Sequence, residues 1–359
     1  MKLAILVLNW NQREATLACL ASLQRADLCG AEIIVIDNGS GDGSAAALRA
    51  AEPALRLLAL PDNLGYAGGN NAGLRLALAE GAERVLVLNN DTLVTADFLP
   101  TLMRAMDETA RAAAVCGAVH RADRPDMLNV AYSEVRFGDR NAVQLKGVNA
   151  LPGEGFESRR EVEAVVGCCV LFSAEALRKV GLFDEAYFAY HEDIDWSLRA
   201  RRAGWTLVYE PFARVYHMTS GSTALAELPE GAGGFEPGLP NAEPVSFNPT
   251  RAYLGARNLM RLVKTHAEPR TQRSFALRCL AGLPLEYTAV LFNREGTLQL
   301  RLWDYQALWR LLRDERPPLW RTWRDAERTG RTAQVKAYAR GLWDGWWKRP
   351  LPLRRLGLR

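Results

Sequence analysis

Four times within its first 91 residues this chain runs through an unbroken apolar stretch and then breaks into Asn, Asp, Gly and Ser. Lys2–Leu8 ends at Asn9-Trp10-Asn11, Glu32–Ile36 at Asp37-Asn38-Gly39-Ser40, Leu55–Leu60 at Pro61-Asp62-Asn63-Leu64-Gly65, and Val85–Leu88 at Asn89-Asn90-Asp91. Val, Ile and Leu without polar alternation predict strands buried on both faces, as in a parallel sheet covered by helices. Helical spacing fills the gaps. Arg13–Leu23 carries Leu17, Leu20 and Leu23, Ala45–Ala51 follows Ser44 as a candidate N-cap, and Asn70–Ala79 precedes the fourth strand. This βαβαβαβ alternation predicts an α/β fold with a doubly wound, mostly parallel sheet. All four polar clusters then fall on its carboxyl edge, where open α/β sheets bind ligands. One cluster alone reads equally well as a turn. Four in phase favour a nucleotide-sized binding edge.

Asp91, at the end of the fourth strand, is of a type that can hold a divalent cation against a phosphate, because hard cations take oxygen ligands. Gly65-Tyr66-Ala67-Gly68-Gly69-Asn70-Asn71 places glycines before a helix, where backbone can approach an anion. The stretch matches neither the GxGxxG of dinucleotide folds nor the GxxxxGK[ST] of phosphate loops, and it has no lysine. Further on, Asp97–Glu108 reads as an amphipathic helix, Ala113–Val119 as a strand and Val162–Phe172 as a central strand, with Cys168 and Cys169 as small core residues. Ala174–Val180 reads as a helix closed by Gly181. In Tyr187-Phe188-Ala189-Tyr190-His191-Glu192-Asp193-Ile194-Asp195-Trp196, three carboxylates lie within four positions among aromatics. Apolar neighbours raise carboxylate pKa values, which suits a general base. The competing reading is a helix start favoured by acidic side chains, with Asp195 and Arg199 as an (i, i+4) pair. Asp195 fits the structural reading and Asp193 the chemical one. Trp205–Val215 predicts a strand ending in Tyr216-His217. A lone histidine there is structural unless a metal-binding carboxylate lies near.

The 359 residues are enough for one large domain or two. The net charge of +4 conceals a division, since residues 251–359 hold 23 Lys/Arg against 9 Asp/Glu, leaving −10 for the first 250. Seven of the ten tryptophans also lie in that basic part. A basic, Trp-rich segment implies an anionic partner surface, or else helices packed on the catalytic domain with their tryptophans inside. No groove-reading motif for nucleic acid is present, so nucleic acid is not expected as a partner. The division predicts three parts: a catalytic domain over 1–224, a flexible Gly/Pro-rich loop over 225–250, and a helical region over 251–359 interrupted at Pro317-Pro318. The N-terminus lacks a small-residue cleavage site and reads as a strand. No stretch reaches the roughly 18 apolar residues of a membrane span. Six cysteines without a CxxC pair indicate a reduced, cytoplasmic protein with buried thiols.

In order, Val7-Leu8-Asn9-Trp10-Asn11, Ile36-Asp37-Asn38-Gly39-Ser40, Asn63-Leu64-Gly65-Tyr66-Ala67-Gly68-Gly69-Asn70, Leu88-Asn89-Asn90-Asp91, Gly181-Leu182-Phe183-Asp184-Glu185, Tyr190-His191-Glu192-Asp193-Ile194-Asp195 and Ala203-Gly204-Trp205 resemble the motifs of family 2 glycosyltransferases, in particular rhamnosyltransferase-like bacterial members. The likeness covers about residues 1–220 and, more loosely, Arg257-Asn258. It implies a GT-A fold and an inverting, metal-assisted transfer from a nucleotide-sugar donor, with Mg2+ or Mn2+ as cofactor. It implies Asp193, with Glu192, as the catalytic base, and Asp91 with His217 at the metal. Asn9, Asn11, Asp37, Asn38, Asn63, Gly65, Gly68, Asn70, Asn89 and Asn90 would line the donor site, Asp37 bonding the base of the nucleotide. The chain departs from the family's Asp-x-Asp at its first position, which is Asn89 and brings no charge.

The expected donor is dTDP-rhamnose, with a UDP- or GDP-hexose as the alternative. The acceptor is a saccharide or a lipid-linked glycan of the bacterial cell surface. The basic region would lie peripherally on the cytoplasmic face of the inner membrane. A nucleotidyltransferase is disfavoured because Asn9–Glu14 offers only Arg13 to grip a triphosphate. A catalytically dead nucleotide-binding scaffold is motivated by Asn89 and opposed by Asp91, Glu192, Asp193 and His217.

Overall fold

The structure is a computed structural model that describes residues 2–139, 142–218, 249–279, 331–356 and 358. The expected loop over 225–250, apart from its last two residues, and the 280–330 part of the basic region with Pro317-Pro318 lie outside the described residues. Pro249 and Thr250 open a helix rather than close a loop, consistent with proline's fitness for a first helical turn. The chain divides into two compact units, Met1–Val135 with Val143–Ala242 and Leu353–Arg359, and Arg136–Ala142 with Glu243–Pro352.

The first unit opens with β1 (Leu3–Asn9), α1 (Arg13–Leu23), β2 (Glu32–Asp37), α2 (Ser44–Ala51), β3 (Arg56–Ala59), α3 (Gly65–Ala79) and β4 (Arg84–Asn89). It continues through β5 (Thr92–Val94), α4 (Phe98–Glu108), β6 (Ala112–Arg121), β7 (Leu128–Val130), β8 (Tyr132–Val135), β9 (Val143–Lys146) and β10 (Arg160–Glu161). β11 (Cys169–Ser173), α5 (Ala174–Val180), a 3-10 turn at Glu185–Tyr187, α6 (Glu192–Arg202) and β12 (Thr206–His217) complete it. One ten-stranded sheet runs β10-β12-β6-β11-β4-β1-β2-β3, with β5 paired to β12 and β7 to β6. β1 to β4 are parallel, and their registers set Asn9 beside Asp37, Asp37 beside Ala59, and Leu8 beside Asn89. Strand order turns back between β1 and β4, which opens the crevice that parallel sheets use for ligands.

The mixed, mostly parallel sheet with helices on its faces agrees with the predicted α/β class. β11 runs antiparallel between β4 and β6, with Cys169 opposite Leu88. The apolar run Val162–Phe172 therefore forms a strand only from Cys169 onward, and its earlier part leaves the sheet where β4 ends. Cys168 and Cys169 are buried core thiols, whereas Cys29 is exposed, against the expectation that all six are buried. Ser44 is not the cap of α2. Gly43, at φ 81°, holds that position, and Ser44 begins the helix with its N–H on Asp42 Oδ1 at 2.9 Å.

Helix α3 starts at Gly65, five residues before the expected start, so the glycine-rich stretch is helix and not loop. Its glycines let the helix lie close on the sheet. A Cβ on Gly69 would stand 2.6 Å from Leu8, and one on Gly73 2.8 Å from Ile36. Apolar residues fill both faces of the sheet, Phe172, Trp196 and Tyr209 on one and Ile5, Leu23 and Phe98 on the other. Phe172 packs edge-on to Trp196 with ring centres 4.8 Å apart, a favoured aromatic geometry.

In the second unit α7 (Pro249–His266) lies against α8 (Arg331–Trp346). Gly341 and Gly345 permit this approach, since a Cβ on either would meet the carbonyl of Tyr253 or Arg257. Tyr253 Oη donates to Asp344 Oδ2 at 2.8 Å, and Lys264 Nζ sits 4.5 Å from the Trp346 ring centre. Trp343 and Trp347 instead stand 54% and 57% exposed. No helix among the described residues is long and apolar enough to cross a membrane.

Candidate active site

At the carboxyl edge of β1, β2 and β3 the polar side chains are tied to one another. Asn9 is fully buried. Its Nδ2 donates to Asp37 Oδ1 at 2.7 Å and to Ser40 Oγ at 3.2 Å, and its Oδ1 accepts from Thr16 Oγ1 at 2.9 Å. Asp37 Oδ2 accepts from the Ser40 N–H at 3.2 Å. Asn38 Nδ2 donates to Asn63 Oδ1 at 3.0 Å and to the Gly65 carbonyl at 3.1 Å, while its Oδ1 accepts from the Leu64 N–H at 3.0 Å. Asn63 Oδ1 also accepts at 2.8 Å from the Gly65 N–H at the start of α3. Asn11, exposed and at φ 54°, braces the same loop through the Gly41 N–H at 2.9 Å. Asn90 Nδ2 donates to Thr16 Oγ1 at 3.0 Å. Gly39 is required here because a Cβ would strike the backbone of Asp62 and Asn63.

The next strand end differs. β5 pairs antiparallel with the end of β12, setting Thr92 opposite His217. That pairing brings Asp91 Oδ1 to 3.3 Å from His217 Nε2, both half-buried. Among the described residues neither Asp91 Oδ1 nor His217 Nδ1 has a hydrogen-bond partner, and Asn89 Oδ1 and Asn70 Oδ1 are likewise buried without one. Buried polar atoms are usually satisfied, so a cluster of such atoms marks a place for an ion or ligand. Adjacent ligands on an octahedral cation with bonds of about 2.1 Å stand roughly 3 Å apart. The oxygen–nitrogen pair therefore fits a shared Mg2+ or Mn2+ ion. Among the described residues no group of three or more His, Cys, Asp or Glu could hold a metal ion. The fit is thus for an ion that takes its remaining ligands from phosphate or water.

The acidic stretch opens α6. Its approach is strained: Phe188, Tyr190 and His191 all have φ between 65° and 73°, conformations that cost energy for non-glycine residues and cluster at functional sites. Glu192 is 5% exposed, and its Oε2 has no hydrogen-bond partner. Burial and the neighbouring Asp193 charge push its carboxyl well above the ordinary range. Asp193 is raised as well, chiefly by burial, against the pull of its backbone donors. The Gly167 N–H donates to Asp193 Oδ2 and the Ile194 N–H to Oδ1, each at 2.8 Å. Burial also holds His191 at about 4, so its ring is neutral near pH 7. Asp195 takes the structural part. It accepts from Arg199 Nε at 2.8 Å, while Arg199 reaches the carbonyls of Val180 and Leu182 and Trp196 Nε1 that of Gly181.

The start of α6 and the Asn89–Asp91 turn are joined through β11's lead-in, because the Asn89 N–H donates to the Cys168 carbonyl at 2.9 Å, next to Gly167. Among the glycines named for the donor site, Gly65 has a different constraint, since a Cβ there would strike Phe188. Gly68 faces Leu64 of its own turn. Asn70 spends its Nδ2 on the Tyr66 carbonyl at 3.0 Å. Thr16 and Gly167 are absent from the sequence-derived candidates, while Ser40, Tyr66 and Asn71 stand in the sequence motifs without a role. Thr16 and Ser40 complete the Asn9 network, Asn71 bonds Phe183 and Glu185, and Tyr66 bonds Gly167. Only the motif pattern hinted at Ser40, Tyr66 and Asn71.

Residues 4–181 match the family described as glycosyl transferase family 2. The chain belongs to the family 2 glycosyltransferases and is rhamnosyltransferase-like. It is 33% identical over 224 residues to the N-acetylglucosaminyl-diphospho-decaprenol L-rhamnosyltransferase of Mycobacterium tuberculosis, a match covering 57% of this chain and 72% of that one. It is 26% identical over 165 residues to the dTDP-rhamnosyl transferase RfbF of Shigella flexneri, covering 45% and 52%. In fold it is similar to GalNAc-T7, solved with UDP, GalNAc and Mn2+, with TM-score 0.56 and 14% identity over 88% of this chain and 54% of that one. That likeness makes the first unit's sheet GT-A-like.

Proposed function

We propose that the protein transfers a deoxyhexose, rhamnose from dTDP-rhamnose, with inversion, to a saccharide or lipid-linked acceptor of a cell-surface polysaccharide. The observation that carries the reading is a pair of polar sets linked through the backbone at Gly167 and Cys168. Asp91 and His217 present unsatisfied atoms at one strand end, and the Asp193 carboxylate is fixed by two backbone N–H groups beside it. Asp193 takes the proton of the acceptor hydroxyl as its oxygen attacks the anomeric carbon, and the nucleoside diphosphate leaves from the opposite face. One base suffices because the leaving group is already a good one, unlike that of a glycoside hydrolase. Asp91 and His217 would hold a divalent cation, which when bound stabilises charge on the departing diphosphate. Asp37, with Asn9, Asn11 and Asn38 behind it, orders the edge that receives the nucleotide, together with Asn63, Gly65, Gly68, Asn70 and Asn90. Asn89 presents its unsatisfied carbonyl to the donor.

The names of the mycobacterial and Shigella relatives support rhamnose and a polyprenol-linked acceptor. A UDP- or GDP-hexose is the second reading for the donor. In this proposal the catalytic part is 1–224, joined by 225–250 to the region 251–359. The exposed Trp343 and Trp347, followed by Lys348 and Arg349, support peripheral contact with the cytoplasmic face of a membrane, because tryptophan and basic residues favour anionic interfaces. The test is release of dTDP from dTDP-rhamnose with Mn2+, with and without a polyprenyl-diphosphate GlcNAc acceptor. Acceptor-dependent release supports the reading. Release only from UDP- or GDP-hexoses transfers it to the second donor class, and release from no donor contradicts it.

A further inference from the structure

The first turn of α3 touches the segments that shape the base, and it does so through each of its three leading residues. Gly65 lies so close to Phe188 that any side chain would collide with it. The Ala67 N–H donates to the Phe188 carbonyl at 3.0 Å, anchoring the strained approach to α6. Tyr66 Oη donates to the Gly167 carbonyl, and the Gly167 N–H donates in turn to Asp193 Oδ2 at 2.8 Å. A Cβ on Gly167 would stand 3.3 Å from both Tyr66 Oη and Asp193 Oδ2. The phenol and the carboxylate therefore flank Gly167 on one side, where any larger residue would press on both.

From this geometry we infer that Tyr66 is a positioning residue for Asp193, acting through Gly167, an inference that rests on the proposed role of Asp193 as base. Tyr66 holds the carbonyl side of Gly167 and Asp193 the amide side, two peptide groups that share the Gly167 Cα. Anchoring the carbonyl therefore limits how far the residue can turn its N–H away from the carboxylate. Oδ2 is held by that N–H and Oδ1 by Ile194, so the carboxyl plane is set before the acceptor arrives. Preorganisation of this kind matters because small misplacements of a reacting group cost rate steeply. Tyr66 remains a neutral donor throughout the working pH range, since burial and the charges of Glu192, Asp193 and Asp91 raise its hydroxyl far above its ordinary value. It also stands on the helix whose first N–H donates to Asn63, at the donor edge. The arrangement ties the base to the element that would sense the nucleotide.

The test compares wild type, Tyr66→Phe, Asp193→Asn and the double variant. Tyr66→Phe removes one oxygen and keeps the ring. It should lower kcat about tenfold with little change in KM for dTDP-rhamnose. It should also move the acid limb of the rate profile to higher pH, because a loosened Gly167 N–H stabilises the ionised carboxylate less. A carboxyl-carbon NMR titration of Asp193, assigned by its loss in Asp193→Asn, should shift the same way without any substrate. In the Asp193→Asn background Tyr66→Phe should add no further loss. An unchanged Asp193 titration in Tyr66→Phe, or a loss confined to donor KM, overturns the inference. Full activity in Asp193→Asn removes the base reading instead, while the titration still tests the Tyr66 link by itself.

Discussion

The two halves of the carboxyl edge use the same residue types in opposite ways. At β1, β2 and β3 the Asn and Asp side chains satisfy one another, and Asn9 has no polar atom left over. At the ends of β4 and β12 and the start of α6, Asn89, Asp91, His217 and Glu192 keep buried atoms that nothing among the described residues satisfies. The first half is a hydrogen-bonded network that holds the strand ends together. The second keeps polar atoms that no neighbour among the described residues satisfies, the condition in which an edge can take up a ligand. Identity as Asn or Asp at a strand end therefore does not separate architecture from chemistry. Satisfaction does.

Each half can be broken separately. The largest effect belongs to Asp193→Asn, which should lower kcat by about 10²- to 10⁴-fold, the usual worth of a positioned base, with the melting temperature near that of wild type. A rate within threefold of wild type would take Asp193 out of the chemistry. Next comes Asn9→Leu in the satisfied half. It strands the Asp37 carboxylate, 3% exposed, and should destabilise by roughly 2–3 kcal/mol in urea unfolding. A loss of donor affinity with unchanged stability would mean that Asn9 contacts ligand and not scaffold.

Smallest is Glu192→Gln. The folded protein holds the Glu192 proton at pH values where the unfolded chain has released it, because burial raises this carboxyl from its ordinary 4.5. Wild-type stability should thus decline as pH rises above about 4.5 through the raised folded value, opposite to the usual carboxylate behaviour. Glu192→Gln should lack that decline and be the more stable by roughly 1 kcal/mol at neutral pH. Parallel stability curves for the two proteins from pH 4 to pH 8 would contradict a buried, ionisable Glu192.

The sequence carried the parallel half of this molecule well. Its strands repeat at short range, so Leu8, Ile36 and Leu88 could be read as strand ends without knowing their neighbours. Pairing across long separations was not readable. The insertion of β11 between β4 and β6, and the three-residue β5 that sets His217 against Asp91, depend on contacts between segments far apart in the chain. His217 itself was found by resemblance and not by pattern. Glycine-rich sequence concealed the start of α3, because glycine's low helix propensity reads as loop while tertiary packing against Leu8 and Ile36 overrides it. Asp195 and Arg199 were legible from spacing alone and form the ion pair at 2.8 Å. The link from Tyr66 to Gly167 was not, since Tyr66 stands in its motif without a role and Gly167 carries no signal until the fold brings the two together.

The claim that unsatisfied atoms mark the working half is tested most directly by thermal melting of wild type and Asp91→Asn with dTDP, with Mn2+, and with both. Ligand that binds only the folded protein raises its melting temperature. Wild type should shift by several degrees only when dTDP and Mn2+ are present together, and Asp91→Asn should melt normally but lose that joint shift. An undiminished joint shift in Asp91→Asn would contradict the assignment of Asp91 to the cation and, with it, the division of the edge.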